Sequence, residues 1–387
     1  MSCSGKWLLT AAIATFCAAQ TNSRLVREDG YWVQTVTGNA LIAPSETLRV
    51  STRGAVSLQG EARQDIAYAL KKRAGVQSEA QARTLLENVS VRTERRGGEL
   101  LLEVSLPADW TSSAGLQVRV PRKLRETILE SQGDSIEAYD LEGTLRADSS
   151  GGHVNIDRVR GRVIVRTEGG QVRLGKIEGS VLCYSGGGQI VAGTILGEAG
   201  LNTEGGEIAV RLAKGPVRAS TAGGNIRIEE ASRGVTATAK AGLIEVARSA
   251  GPVVAQTDAG AIKIRSAANV QCQAGAGAIA LESVYGALHA STRSGSIVAD
   301  LAGEPLKNST LTTGSGDITV FIPSNLAVTV QAISASPGGR RIVSDFEEIR
   351  SRTHAGARAE AEGSLNGGGP LLRLTALAGN IYLHRQR

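Results

Sequence analysis

The chain has 387 residues, 48 of them Gly, with 41 % apolar, 21 % charged and only 3 % aromatic residues. That much apolar material excludes a disordered chain. Glycine without a three-residue period excludes collagen, and so few aromatic rings argue against a nucleic-acid platform that stacks bases. The formal charge of +6 is mild for this length, and no basic run exceeds Lys71-Lys72-Arg73. It reads as solubility rather than attraction to acidic polymers.

In chain order, residues 1–19 read as a secretory signal peptide. Lys6 gives a basic start and Leu8–Ala19 is apolar but too short to span a bilayer comfortably. Cys17-Ala18-Ala19 then puts small residues before the polar Gln20-Thr21-Asn22-Ser23. Phe16 sits where a lipobox wants a small residue, which speaks against lipid anchoring at Cys17. No later segment is apolar for 18 residues, so no transmembrane segment is expected in the mature chain.

Residues 24–130 are expected to form an N-terminal cap, β-rich with one short helix. Thr47 to Gln59 alternates as two strands around Gly54. Ser78 to Glu87 reads as a helix capped by Ser78, with Gln81 three residues on. Strands are expected from Val89 to Glu94, Glu99 to Leu106 and Leu116 to Val120.

Residues 131–322 are expected to form the coils of a solenoid. Gly-Gly pairs fall at Gly151-Gly152, Gly169-Gly170, Gly187-Gly188, Gly205-Gly206 and Gly223-Gly224, each 18 residues apart. The series continues as Ala241-Gly242, Ala259-Gly260, Ala276-Gly277, Ser294-Gly295, Ser315-Gly316 and Ala378-Gly379. The second Gly is never replaced. Other columns hold the same phase: Ile190, Ile208, Ile226, Ile244 and Ile262; Val163, Val181, Val217, Val235 and Val253; and a hydroxyl column of Thr167, Ser185, Thr203, Thr221 and Thr257, interrupted by Ala239 and Ala274. A second corner column holds Gly161, Gly179, Gly197 and Gly215, with Asn269 in one copy. Alternating, largely β-branched positions between Gly corners describe strands with one buried face. One turn cannot bury that face alone, but stacked turns can. Ten to eleven turns at ~4.8 Å per strand make a rod of roughly 50 Å.

The expected fold is therefore all-β: a single-stranded right-handed parallel β-helix (β-solenoid) of about 18 residues per coil. A sandwich has no reason to keep that period, and three equal six-residue units of a left-handed helix are not visible. Cys183 and Cys272 share an inward column five turns apart, near 24 Å at ~4.8 Å per turn, so they read as core residues rather than a disulfide. Residues 323–387 are expected to close the solenoid. Leu326 to Val330 reads as strand, Pro337 to Pro370 as loops and an edge hairpin, and Leu372 to Leu383 as the last coil.

The repeat Gly-Gly-x-Ile-x-Val, the segment SEAQARTLLENVSVRTERRGGELLLEV and the closing AGNIYLHRQR together resemble the bacterial putative-adhesin family, a β-strand-repeat domain of unknown function related to head-GIN-type adhesins. The resemblance runs over roughly residues 40–387. It implies an exported or envelope-associated β-helix. No catalytic residues are established for that family, so it implies none here.

Residue chemistry adds little. Glu282 and Asp300 occupy equivalent outward positions in neighbouring turns and are the one candidate carboxylate pair for glycan chemistry. A solvated face is the plainer reading. His153, His289, His354 and His384 are scattered, the Asp-bearing calcium nonapeptide is missing, and no phosphate-binding loop appears. Outward charges alternate in sign, as with Arg211 and Glu229, Glu230 and Arg248, and Arg160 and Glu178. They are expected to be surface ion pairs. No catalytic, cofactor or metal site is predicted. The expected function is that of an exported, non-enzymatic adhesin-like or envelope scaffold protein, in the periplasm, on the cell surface or outside the cell. Its expected partner is a protein or glycan and not nucleic acid. Periplasmic sensing or assembly is the alternative, and a polysaccharide-degrading β-helix enzyme a weaker one.

Overall fold

The computed structural model describes residues 20–107, 113–335, 341–353 and 358–386. Residues 1–19, expected to be a signal peptide, and His354 lie outside the described residues. Each repeat folds into one turn of two strands. Val163–Thr167 is followed by Val172–Ile177, and Val181–Ser185 by Ile190–Ile195. Every strand pairs in parallel with its equivalent one turn on, Ile190 opposite Ile208 and Cys183 opposite Leu201. About 11 turns of this kind form a β-solenoid with two walls. Wall one contains the strands that follow the glycine corners, such as Val172–Ile177. Wall two contains those such as Val181–Ser185.

The core is the stack of inward columns. Ile190, Ile208, Ile226, Ile244, Ile262 and Ile279 are each 0 % exposed. β-Branched side chains suit this position because they are stiff and fill the pleat between layers.

The corners explain the two glycine columns. A Cβ on Gly188 would lie 2.1 Å from the carbonyl oxygen of Gly170, and one on Gly224 would lie 2.0 Å from that of Gly206. Backbone stacks on backbone at every turn, so the second Gly cannot change. The first Gly of the pair has room: a Cβ on Gly169 or Gly187 meets nothing within 4 Å. This is the position that later becomes Ala or Ser.

The hydroxyl column changes role along the rod. In the Gly-Gly turns the hydroxyl is bonded twice. Thr203 Oγ1 accepts from the Gly206 N–H at 3.2 Å and donates to the Gly188 carbonyl of the preceding turn at 3.0 Å. From Gly242 to Gly316 the corner glycine is left-handed, and its N–H reaches the carbonyl of the next turn, as Gly242 does to Ala259. The hydroxyl is then no longer needed by the glycine N–H, which is why Ala239 and Ala274 are tolerated. Asn269 occupies its corner with φ of +53°, a conformation Asn adopts more readily than other side chains.

Cys183 and Cys272 are free and buried. Burial pushes the Cys183 thiol up to about 12 and raises Cys272 as well. In the chain beginning at Gln20, neither thiol is expected to react with an aromatic disulfide reagent at neutral pH until the protein unfolds. Stoichiometric labelling of the folded chain would contradict their inward placement.

Both ends are built out of chain order. At the N-terminal end, wall two runs from Glu99–Ser105 to Thr47–Thr52, to Lys123–Ser131, and on to the second half of Ile136–Ser149. Wall one runs from Ala114–Pro121 to Ala55–Glu61 and then to the first half of Ile136–Ser149. The parallel stack thus continues into a region without sequence period. At the other end, Leu371–Ala378 and Ile381–Arg385 lie on Ser309–Ser315 and Ile318–Ile322. Val328–Ser334 and Ile342–Ser344, earlier in the chain, lie outside them. The turn from Leu372 to Leu383 is therefore not the outermost one, contrary to expectation. The chain overshoots and returns, so its last strands gain a paired neighbour on each edge.

Antiparallel strands then cover the end turns. Ser90–Arg96 pairs with Glu99–Ser105, Asp65–Ala74 with Ala114–Pro121, and Ala359–Leu365 with Val328–Ser334. The outermost strands of wall two, Ser90–Arg96 and Arg350–Thr353, carry Arg92, Arg95, Arg96, Arg350 and Arg352. Charged edges of this kind resist pairing with another strand.

The helix is Glu79–Glu87, and Ser78 Oγ accepts from the Gln81 N–H at 3.2 Å, as predicted. Lys72 ties it to the sheet. Its ammonium is buried and donates to the carbonyls of Leu86 and Val89 at 2.8 and 2.7 Å. Burial pushes this lysine below its ordinary value, opposed by the charge of Glu87. Lys71 beside it points outward to Glu28 at 2.9 Å, so the two lysines of the basic run have opposite tasks.

Candidate binding surface

The outer surfaces of the two walls differ in chemistry. Wall one is charged and internally paired. Glu245 lies between Arg227 at 3.2 Å and Arg265 at 2.9 Å, and Arg227 also reaches Glu207 at 2.9 Å. Arg158 grips Asp140 with two bonds of 2.7 and 2.8 Å. That grip, with Gln59 also donating to the carboxylate, holds Asp140 down at about 2. Arg160 and Glu178 pair at 3.3 Å as expected. Two other expected pairs are not made. Arg211 donates to Thr194 in the layer before, and Glu230 and Arg248, though in register, form no ion pair. An exposed pair gains only ~0–1 kcal/mol, so solvation competes with it.

Wall two is different from the turn of Asn202 to that of Thr375. One outward column runs Asn202, Ser220, Thr238, Gln256, Gln273, Ser291, Thr312 and Thr375, each opposite the next. The column beside it runs Thr236, Val254, Gln271, His289 and Thr310. Neither stretch holds a charged residue. At ~4.8 Å per layer the longer column extends roughly 35 Å. Among the described residues, no hydrogen bond or ion pair engages these side chains, so their donors and acceptors are left to solvent. Charges return at the borders, at Arg218, Lys240, Asp258, Arg293 and Arg373. Tyr184 sits one layer before Asn202, its hydroxyl donating to Glu204 at 2.6 Å.

The sequence candidates are placed elsewhere. Glu282 and Asp300 follow the paired residues Leu281 and Ala299, but the register shifts immediately after them. Glu282 faces Lys263 at 3.7 Å and Asp300 accepts from Gln386 at 2.6 Å. The two carboxylates have separate partners. His153 is structural, its Nδ1 accepting from the Gln171 N–H of the next turn at 3.0 Å. His384 bonds Asp345 at 3.1 Å near the rings of Phe321 and Tyr382. His289 alone faces solvent on wall two. Among the described residues, no group of three His, Cys, Asp or Glu side chains could hold a metal ion. No helix there is long and apolar enough to cross a membrane. The neutral columns were missed in sequence because, of the outward positions, only those that carry charge were followed along the repeat. The outward Thr and Gln positions were legible in the same phase.

Residues 193–363 match the Toastrack DUF4097 family. The Toastrack match covers the later turns and the C-terminal overshoot, a narrower span than the resemblance seen in the repeat. It includes most of the neutral columns. The chain is also similar to a crystal structure described as a putative adhesin from Bacteroides fragilis. That likeness has 18 % identity over 59 % of this chain and 96 % of the other, with a TM-score of 0.37. A second structure, described as a putative cell adhesion protein from Clostridium sporogenes, is 10 % identical over 95 % of this chain and 100 % of the other, with a TM-score of 0.17. No curated protein matches the chain.

Proposed function

We propose that the protein is an exported, non-catalytic binding module of the bacterial envelope that engages its ligand with the neutral surface of wall two. The observation that carries this reading is the contrast between the walls. Wall one is charged and pairs much of that charge, as in the file Glu207, Arg227, Glu245 and Arg265, whereas wall two presents a long file of unbonded Thr, Gln and Ser side chains. Export is supported by the basic and apolar pattern of residues 6–19. Assembly by stacking of rods end to end is disfavoured, because both ends of wall two finish in arginine-bearing antiparallel strands.

The test is incubation of the labelled mature chain with isolated bacterial envelopes, with bound protein and soluble products followed together. Saturable binding without product release is the expected result. Release of soluble fragments that rises with time would replace this reading with an enzymatic one.

A further inference from the structure

We infer that the ligand of wall two is a neutral, extended β-linked polysaccharide lying along the solenoid axis. This rests on the binding-module reading and names its ligand class. Three features point to it. First, the file formed by Thr238, Gln256, Gln273, Ser291 and Thr312 offers hydroxyls and amides but no charge, although 21 % of the chain is charged. An acidic polymer would call for Lys or Arg here, and a basic partner for Asp or Glu. Second, the file lacks the aromatic and apolar centre of a protein interface, Val254 being its one large apolar member. Third, the groups recur once per layer at ~4.8 Å, and an extended pyranose chain advances one ring over a comparable distance. Each ring then meets the same pair of columns as its neighbour. Its hydroxyls face the amides and hydroxyls, and its C–H face covers Val254 and the threonine methyls.

Such a surface gains affinity by repetition, so binding should tighten with chain length until the sugar spans the file. It should also survive high salt, because no ion pairs are involved. The experiment is calorimetric titration of the mature chain with cello-oligosaccharides and chito-oligosaccharides of increasing length. Malto-oligosaccharides, which coil, and polygalacturonate, which is charged, serve as comparisons. The expected result is length-dependent, salt-resistant binding of an extended neutral oligosaccharide, weakened about tenfold or more by Gln256→Glu with Gln273→Glu. Both substitutions are exposed and nearly isosteric, so folding is kept. Salt-sensitive binding of polygalacturonate alone, or binding indifferent to length, would overturn the inference. So would saturable envelope binding without any affinity for the neutral oligosaccharides. That last outcome leaves the binding module intact and removes only its ligand class, whereas absence of envelope binding removes the module itself.

Discussion

Gly206→Ala is expected to lower the denaturation midpoint sharply, at a cost of about 3 kcal/mol, while Gly205→Ala next to it changes stability by less than ~0.5 kcal/mol. The two substitutions add the same methyl group one residue apart. At Gly206 the new Cβ would fall 2.2 Å from the Gly188 carbonyl oxygen, a backbone atom with no freedom to rotate away. Relief requires the two turns to separate at that corner, which also strains the bond from the Gly206 N–H to Thr203. At Gly205 the nearest atom is 3.8 Å away, an ordinary contact. The loss of backbone freedom in the unfolded chain even favours alanine there. Thermal and urea unfolding of both variants checks this. Equal midpoints would contradict the stacking of backbone on backbone at the corners.

Ile226→Asp is expected to be more damaging, with a loss of about 4 kcal/mol or more. Ile226 is 0 % exposed and lies between Ile208 and Ile244 in the inward file. A carboxylate there has no cation to meet and must either be buried charged or take up a proton. The removed side chain also leaves a void between two isoleucines. Each turn touches only its neighbours, so the damage should begin locally. Hydrogen exchange is expected to rise first in the strands Ile208–Ala213 and Ile244–Ser249. Thr238→Asp, on the outward face of wall two, is the control and should leave the midpoint within ~0.5 kcal/mol. An unchanged midpoint for Ile226→Asp would remove Ile226 from the interior.

Most of the solenoid was legible because its constraints repeat. A corner that forbids a Cβ forbids it at every turn, so Gly152 through Gly379 keep one phase. The buried hydroxyls of Thr203 and its equivalents were legible as inward for the same reason. The ends were not, because their strands are ordered by space rather than by chain. Thr47–Thr52 lies between Glu99–Ser105 and Lys123–Ser131, which no local pattern discloses. The antiparallel pair Tyr31–Leu41 and Asp65–Ala74 escaped for a different reason. Its inward face contains Gly38, over which the Tyr68 ring lies, and the buried ammonium of Lys72. Neither looks like a core position in an alternating strand. Of the candidate site, the carboxylate pair was suggested by column position alone, and a register shift beyond Leu281 separates its members' surroundings. The neutral file on wall two could be read from the repeat, but its meaning depends on knowing that wall one is charged and pairs much of that charge internally.

Contact with the envelope through wall two, and not wall one, is separable by the envelope-binding isotherms of two double variants. One, Thr238→Arg with Gln273→Arg, places charge in the neutral file. The other, Arg265→Gln with Glu245→Gln, removes a charged pair from wall one. The first variant is expected to bind about tenfold or more weakly than the unsubstituted chain, while the second binds as tightly. Unchanged binding by the first, with loss by the second, would contradict it.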